Sequence, residues 1–229
     1  MSTTFPKPYS PELARDCLER ARAAPVYQLA QRTPLHEAPK LSERLGQRLW
    51  LKREDLQPTF SFKLRGAYNC LSRLGDEEKA RGVIAASAGN HAQGVALSAK
   101  ELGVQATIFM PRTTPPIKVQ AVAELGADIQ LVGDDYDEAC ARAMEEAERS
   151  GAIFIHPFND PDVIAGQGTL GIEISEQLVK APAVVFVPVG GGGLAAGMAA
   201  CIKSLHPETR VIGVEPIDAA TMKAAIDAV

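Results

Sequence analysis

Val184-Val185-Phe186-Val187-Pro188-Val189-Gly190-Gly191-Gly192-Gly193-Leu194-Ala195-Ala196-Gly197 holds the decisive pattern of this chain. A short β-branched run predicts a buried strand, and the small and apolar residues after Gly193 predict a helix. Between them stand four consecutive glycines. A backbone without Cβ atoms can wrap closely around an anion, and the free N–H groups of a helix start would face it, so the run suits a phosphate. The plainer reading, a tight turn that lets a helix pack closely, uses one or two glycines and leaves the others unexplained. No Gly-Lys-Ser/Thr follows, and the G-x-G-x-x-G spacing is not kept, so neither a Walker loop nor a standard dinucleotide fingerprint is present. Glu215 does end the next apolar run, about twenty residues on, where a ribose-binding acid would stand, and this keeps a nucleotide reading open.

The same alternation of strand and helix extends from that segment through most of the chain. Strands are predicted at residues 48–53, 82–86, 104–110, 128–132, 152–155, 183–189 and 210–215, with helices between them. That order defines an α/β protein with mostly parallel sheets. Asp134 is the predicted cap of a helix whose apolar stripe is Tyr136, Ala139, Cys140, Ala143, Met144 and Ala147. Ser10-Pro11 opens an N-terminal helix with Leu13, Cys17, Leu18 and Ala21 on its buried side. No linker or repeat interrupts the alternation, so composition marks no domain boundary.

Several function classes are disfavoured by composition. The 24 basic and 28 acidic residues give a net charge of −4, so no basic excess argues for nucleic acid or an anionic membrane. Residues 181–202 lack charge, but Pro188 and the glycine run would break a spanning helix, so a strand, a loop and a helix are expected there. Cys17, Cys70, Cys140 and Cys201 form no C-x-x-C pair and read as buried thiols. The opening Met1-Ser2-Thr3-Thr4-Phe5-Pro6-Lys7-Pro8 has no apolar core of a secretory signal, which makes the cytoplasm the expected location. His36, His91, His156 and His206 show no metal-ligand spacing, and no metal centre is expected.

Two further segments carry candidate chemistry. In Glu54-Asp55-Leu56-Gln57-Pro58-Thr59-Phe60-Ser61-Phe62-Lys63-Leu64-Arg65-Gly66-Ala67 a loop delivers a lysine to a helix start. A lysine amine forms an imine with an aldehyde, and burial against Phe60 and Phe62 would favour the neutral amine this requires. Read alone, a lysine is far more often a solvated surface charge. Ser87-Ala88-Gly89-Asn90-His91 joins a predicted strand to a predicted helix, so its N–H groups suit a carboxylate and the Asn90 amide could donate to a phenolate oxygen. A capped turn with no ligand is the plainer reading. The turn Pro157-Phe158-Asn159-Asp160-Pro161 and the following Gly166-Gln167-Gly168-Thr169 read as structural.

Taken together, Ser61-Phe62-Lys63-Leu64-Arg65-Gly66-Ala67, Ser87-Ala88-Gly89-Asn90-His91-Ala92-Gln93-Gly94 and Gly190-Gly191-Gly192-Gly193-Leu194 resemble the fold type II pyridoxal-phosphate enzymes, and specifically the threonine dehydratases. The resemblance runs from about Pro25 to Val229. It implies pyridoxal 5'-phosphate held as a Schiff base on Lys63, Phe62 beside the cofactor, Asn90 on the pyridine 3'-oxygen, and Gly190, Gly191, Gly192, Gly193 and Leu194 around the phosphate. Ser87, Ala88, Gly89, Asn90 and His91 would hold the substrate carboxylate. The implied fold is two open, twisted, mostly parallel sheets flanked by helices. Its small domain would be residues 61–151, inserted into a large cofactor domain made of residues 1–60 and 152–229. The implied reaction turns L-threonine into 2-oxobutanoate and ammonia, with L-serine as a secondary substrate, Lys63 as anchor and base, and a homotetrameric, cytoplasmic enzyme of isoleucine biosynthesis.

Rival expectations come from the same residues. Serine racemase and catabolic serine or threonine dehydratase share the three motifs, a binding module could keep the fold without the chemistry, and the nucleotide-binding oxidoreductase rests on Glu215. The chain stops inside a predicted helix, before the residue that the resemblance places on the pyridine nitrogen. Weak cofactor binding or poor turnover is therefore expected of it, because one wall of the large domain is missing.

Overall fold

The structure is a computed structural model and describes residues 10–228. Met1 to Pro8, on which the targeting expectation rests, and Val229 lie outside the described residues. The chain begins with α1 (Pro11–Arg22), β1 (Leu35–Glu37), α2 (Pro39–Leu45) and β2 (Trp50–Lys52), then α3 (Lys63–Ser72) and α4 (Asp76–Arg81). Four βα repeats follow: β3 (Val83–Ala86), α5 (Asn90–Leu102), β4 (Ala106–Met110), α6 (Pro116–Ala123), β5 (Asp128–Leu131), α7 (Tyr136–Ser150), β6 (Ile153–Phe154) and α8 (Pro161–Gln177). The chain closes with β7 (Val184–Pro188), α9 (Gly193–Leu205), β8 (Arg210–Val214) and α10 (Thr221–Asp227).

Two parallel sheets and one antiparallel pair result. The larger sheet has the order β5-β4-β3-β6, all parallel, and β7 pairs with β8 in parallel, while β1 and β2 run antiparallel. Residue chemistry explains the order. β3 is buried at every position, as a central strand with helices on both faces requires, whereas β5 carries Asp128 and Gln130 and sits at the edge. The pleat sorts side chains between two layers. Val83, Ala85, Ala106, Ile108 and Met110 pack under α3, α5 and α6, while Ile84, Ala86 and Phe109 pack under Ala143 and Ala147 of α7.

All seven strands expected from sequence are present, each trimmed at its ends. β1 was not anticipated, because three residues of mixed polarity carry no periodic signal. Asp135 caps α7, accepting from the Glu138 amide at 2.9 Å, so Asp134 is not the cap. The α7 stripe is correspondingly narrower: Ala139, Ala143 and Ala147 are buried, while Tyr136 and Met144 are exposed. In α1 the Ser10 cap holds, but Leu13 faces solvent and Ala14, Leu18 and Ala21 form the buried side. Cys70 and Cys201 are buried, whereas Cys17 and Cys140 are only partly covered; all four thiols are free. Residues 181–202 form β7, the glycine loop and α9, and among the described residues no helix is long and apolar enough to cross a membrane.

Glycines set how the site helices meet. A Cβ at Gly166 of α8 would lie 2.6 Å from the Arg65 carbonyl oxygen and 2.7 Å from the Gly66 Cα, so α3 and α8 touch backbone to backbone. Gly94 of α5 does the same on another side of α3, where a Cβ would stand 3.2 Å from the Lys63 carbonyl. The first turn of α3 is thus wedged between two helices that both present glycine to it.

Candidate active site

Lys63 is the first residue of α3, and it reaches that position through a constrained loop. Phe60 has φ of +55°, a left-handed conformation that costs a bulky residue roughly 1–3 kcal/mol. Its side chain is 76% exposed, so Phe60 does not help to bury the lysine as its sequence position suggested. Phe62 does flank it, with the Lys63 Nζ 5.6 Å from its ring centroid. The Nζ donates to the Pro157 carbonyl oxygen at 2.7 Å. Burial lowers the Lys63 pKa to about 8, so roughly a tenth of the amine is neutral at pH 7, far more than for an ordinary lysine.

A buried ionic network anchors the same helix. Arg65 is fully buried and donates to both Glu54 oxygens at 2.8 and 2.9 Å, to Glu173 at 2.5 Å and to Thr169 at 3.1 Å. Glu173, also fully buried, accepts in addition from Lys52 and from the Tyr27 hydroxyl. Burial alone would raise the Glu173 pKa, but Arg65, Lys52 and Tyr27 outweigh it and hold the carboxyl below its usual value. Helix α3 is therefore tied to β2, to the turn at Glu54 and to α8.

Lys63 opens into a cavity of about 130 Å³ lined by Phe62, Pro157, Phe158, Gln167 and the run Gly190 to Leu194. The sequence-predicted lysine and glycine run therefore meet in one place, although over a hundred residues separate them. The glycines have distinct roles. A Cβ on Gly191 would overlap the Phe158 ring, and one on Gly193 would lie 2.6 Å from the Phe158 carbonyl oxygen. Gly192 takes φ of +88°, and Gly190 has open space around it. Gly192 caps α9, whose first-turn N–H groups lack intrahelical partners, so the loop ends in an anion-binding helix start.

Pro157, Phe158 and Gln167, which the sequence reading took as structural, belong to this cavity. His156 shapes their turn by accepting from the Phe158 and Asn159 amides at 3.2 and 2.8 Å. Ser87 to His91 do not line it. They sit at the start of α5, with Asn90 exposed and His91 buried. The His91 Nε2 contacts the Ile155 carbonyl oxygen at 2.9 Å, and burial lowers its pKa to about 4, so the ring is neutral and engaged with backbone. Glu215 accepts from the Met222 and Lys223 amides at 2.8 and 2.9 Å, so both of its oxygens are engaged by the first turn of α10, which weighs against the ribose-binding role. Among the described residues no cluster of His, Cys, Asp and Glu could hold a metal ion.

A lysine amine and a glycine-rich helix start share one cavity on an α/β scaffold, which is the pair of groups that a phosphate-bearing aldehyde cofactor requires. The chain belongs to the pyridoxal-phosphate dependent enzyme family, whose sequence profile matches residues 26–229. It is 61% identical over 194 residues to threonine dehydratase 1 biosynthetic, chloroplastic, of Solanum lycopersicum, covering 85% of this chain and 32% of that protein. It is 52% identical over 228 residues to the biosynthetic L-threonine dehydratase of Escherichia coli (strain K12), covering 100% of this chain and 44% of the other. Among solved structures, the processed form of threonine deaminase isoform 2 from Solanum lycopersicum superposes with a TM-score of 0.93 at 51% identity, covering 98% of this chain and 61% of that one. Maize serine racemase superposes with a TM-score of 0.85 at 36% identity, covering 92% and 64%. The chain spans between 32% and 44% of the length of these two curated relatives.

The residues present fit the family's cofactor, pyridoxal 5'-phosphate. A partly neutral amine is available for an aldehyde, and Gly190, where a Cβ would meet nothing within 4 Å, leaves open backbone on the wall of the same cavity.

Proposed function

We propose that this chain is the catalytic core of a pyridoxal-phosphate-dependent L-threonine dehydratase, which yields 2-oxobutanoate and ammonia as the committed step toward isoleucine. The observation that carries the reading is the shared cavity of the Lys63 amine and the Gly190 to Gly193 cradle. When bound, the cofactor supplies an aldehyde for the amine and a ring that draws electrons from the substrate Cα. Gly190, Gly191, Gly192, Gly193 and Leu194 would hold its phosphate through backbone N–H groups, with Phe62 beside its ring. Asn90 is assigned to the ring oxygen, and Ser87, Ala88, Gly89, Asn90 and His91 to the substrate carboxylate. For His91 only the backbone is free to serve, since its ring is occupied by Ile155.

Lys63 then has two tasks. With the cofactor bound and the amine free of it, the Lys63 Nζ would take the proton from the substrate Cα and could return one to the Cβ hydroxyl, which would leave as water. A pKa of about 8 suits both, because an amine held near its ordinary value would be almost wholly protonated. Phe62 and Phe158 cover the cavity with apolar surface and limit the access of water.

A homo-oligomer, L-serine as a secondary substrate and a cytoplasmic setting accompany this reading; four free thiols are in keeping with a reducing compartment. We also propose the discontinuous division into large and small units, with the boundary moved past residue 155, because β6 pairs with β3 rather than with β7. The test is product analysis with added cofactor. L-Threonine should give 2-oxobutanoate and ammonia in equal amounts, and a Lys63→Ala variant should give neither. D-Serine formed from L-serine, with no keto acid from threonine, would favour a racemase instead.

A further inference from the structure

Two of the four thiols face each other. Cys17 lies on α1 and Cys201 on α9, helices that pack together although they come from opposite ends of the chain. Cys201 is fully buried, and its Sγ sits in the wedge where three helices meet: a Cβ on Gly168 of α8 would lie 2.9 Å from that sulfur and 3.4 Å from the Ala21 Cβ of α1. Leu18, Ala21 and Cys201 form one buried cluster, with Ile172 and Leu205 against it. Cys17 stands one helical turn before Ala21, on the same face of α1, and reaches that wedge from its partly covered side. There the two thiols share a side-chain hydrogen bond, and neither is oxidised.

Neither thiol lines the Lys63 cavity, so the dehydratase reading leaves both unused. Their contact makes them unequal. A thiolate is the attacking form of a cysteine. The hydrogen bond from Cys201 is the largest influence on Cys17 and, with Arg20, holds its pKa below the ordinary value against burial and the Asp16 charge. The same contact, together with burial, pushes Cys201 up, so Cys201 keeps its proton. One thiol is open to an oxidant in solution, and its partner waits behind it, closed to solvent. The other two are differently placed: Cys70 is buried, and Cys140 bonds to the Tyr136 hydroxyl.

We propose that Cys17 and Cys201 are a modification site that peroxide closes into a disulfide between α1 and α9. The Cys17 thiolate attacks one oxygen of hydrogen peroxide, the O–O bond breaks and hydroxide leaves, giving a sulfenic acid. The Cys201 sulfur then attacks the Cys17 sulfur, the S–O bond breaks, and the hydroxyl leaves as water with the Cys201 proton. The proton first lost by Cys17 neutralises the hydroxide. Two thiols and one peroxide become one disulfide and two waters, with two electrons passing from sulfur to oxygen. The consequence is local. The buried residues of α1 are Ala14, Leu18 and Ala21, so little apolar surface holds this helix in place, and a covalent tie to α9 suppresses its opening.

No cofactor or substrate enters the test, so it stands apart from the reading of Lys63. The chain, freed of reductant, is treated with hydrogen peroxide, digested without reduction and mapped by mass spectrometry. The expected product is a peptide pair joining Cys17 to Cys201, lighter by two hydrogens and split by dithiothreitol, present in Cys140→Ser and absent in Cys17→Ser. In Cys201→Ala the Cys17 sulfur should stop at a sulfenic acid that dimedone labels; should circular dichroism show that core variant unfolded, the partly covered Cys17→Ser is the deciding control. Hydrogen exchange of the α1 amides should slow by about tenfold or more when the wild type is oxidised, and should not slow in Cys17→Ser. Overoxidation of Cys17 with Cys201 left as a thiol, a bond from Cys17 to Cys140 or to a second chain, or both thiols unchanged once Cys140 is oxidised overturns the inference. Unaltered α1 exchange in a chain that carries the bond overturns the consequence assigned to it.

Discussion

Replacing Gly191 by alanine adds one methyl group at a place where the structure leaves none. The new Cβ would overlap the Phe158 ring, whereas the same change at Gly190 meets nothing within 4 Å. Phe158 cannot simply swing aside, because its backbone abuts Gly193 and its amide is fixed to the His156 Nδ1 at 3.2 Å. Overpacking of this kind costs roughly 1–3 kcal/mol. For a chain of this length each kcal/mol lowers Tm by about 2–4 °C, so Gly191→Ala should melt about 2–12 °C lower than wild type. If the strain is expressed when the cradle closes on phosphate, the same energy weakens cofactor binding by about 5–150-fold. Thermal unfolding followed by circular dichroism, with titration of pyridoxal phosphate, measures both. Gly190→Ala is the internal control and should match wild type in Tm within about 1 °C, as surface changes without contacts do. Equal losses in the two variants, or none in Gly191→Ala, would refute the assignment of Phe158 as the partner of the glycine loop.

Other expectations follow from the buried network and the helix crossings. Glu173→Gln leaves Arg65 and Lys52 short of a counter-charge and should destabilise the chain by about 3–5 kcal/mol in denaturant titration. Since the folded-state pKa of Glu173 lies below its unfolded value, its contribution is full above the unfolded pKa and fades as pH falls through the folded one; the gap between wild type and Glu173→Gln should therefore narrow in acid. Gly66→Ala forces a Cβ against Gln167 and to 2.8 Å from the Val163 carbonyl oxygen, so it should lower Tm, while Gly46→Ala, with its positive φ but open surroundings, should cost only about 1 kcal/mol. Phe60→Gly should hold or raise Tm, because it removes the left-handed strain of an exposed residue. Imine formation by Lys63 should rise with pH and level off above about 8, as read from trapped adduct against pH.

The parts legible in the sequence are those whose signal is local. β3 and β4 announce themselves as apolar runs, and the glycine loop is recognisable because four glycines exceed what a turn requires. Asp134 and Asp135 are adjacent, and only the register of the first helical turn decides which one caps α7. Phe158 escaped notice because its role is a collision with glycines some thirty residues away, a relation that no spacing rule contains. Gln167 did carry a signal in its two flanking glycines, which mark a helix face pressed against another backbone. Phe60 misled because aromatic residues beside a lysine suggest burial, whereas its positive φ turns the ring outward. The Lys63 segment gained its meaning only from company: by itself it reads as a surface lysine, and it becomes the candidate anchor because the chain brings it into one cavity with the glycine run.

The central claim is that Lys63, and no other lysine, carries pyridoxal phosphate. Incubation of the chain with the cofactor, reduction with borohydride and peptide mapping by mass spectrometry test it in one step. The account predicts a single stoichiometric pyridoxyl adduct on the peptide holding Ser61-Phe62-Lys63-Leu64-Arg65, abolished by Lys63→Arg. An adduct spread over exposed lysines with Lys63 unmodified would contradict it.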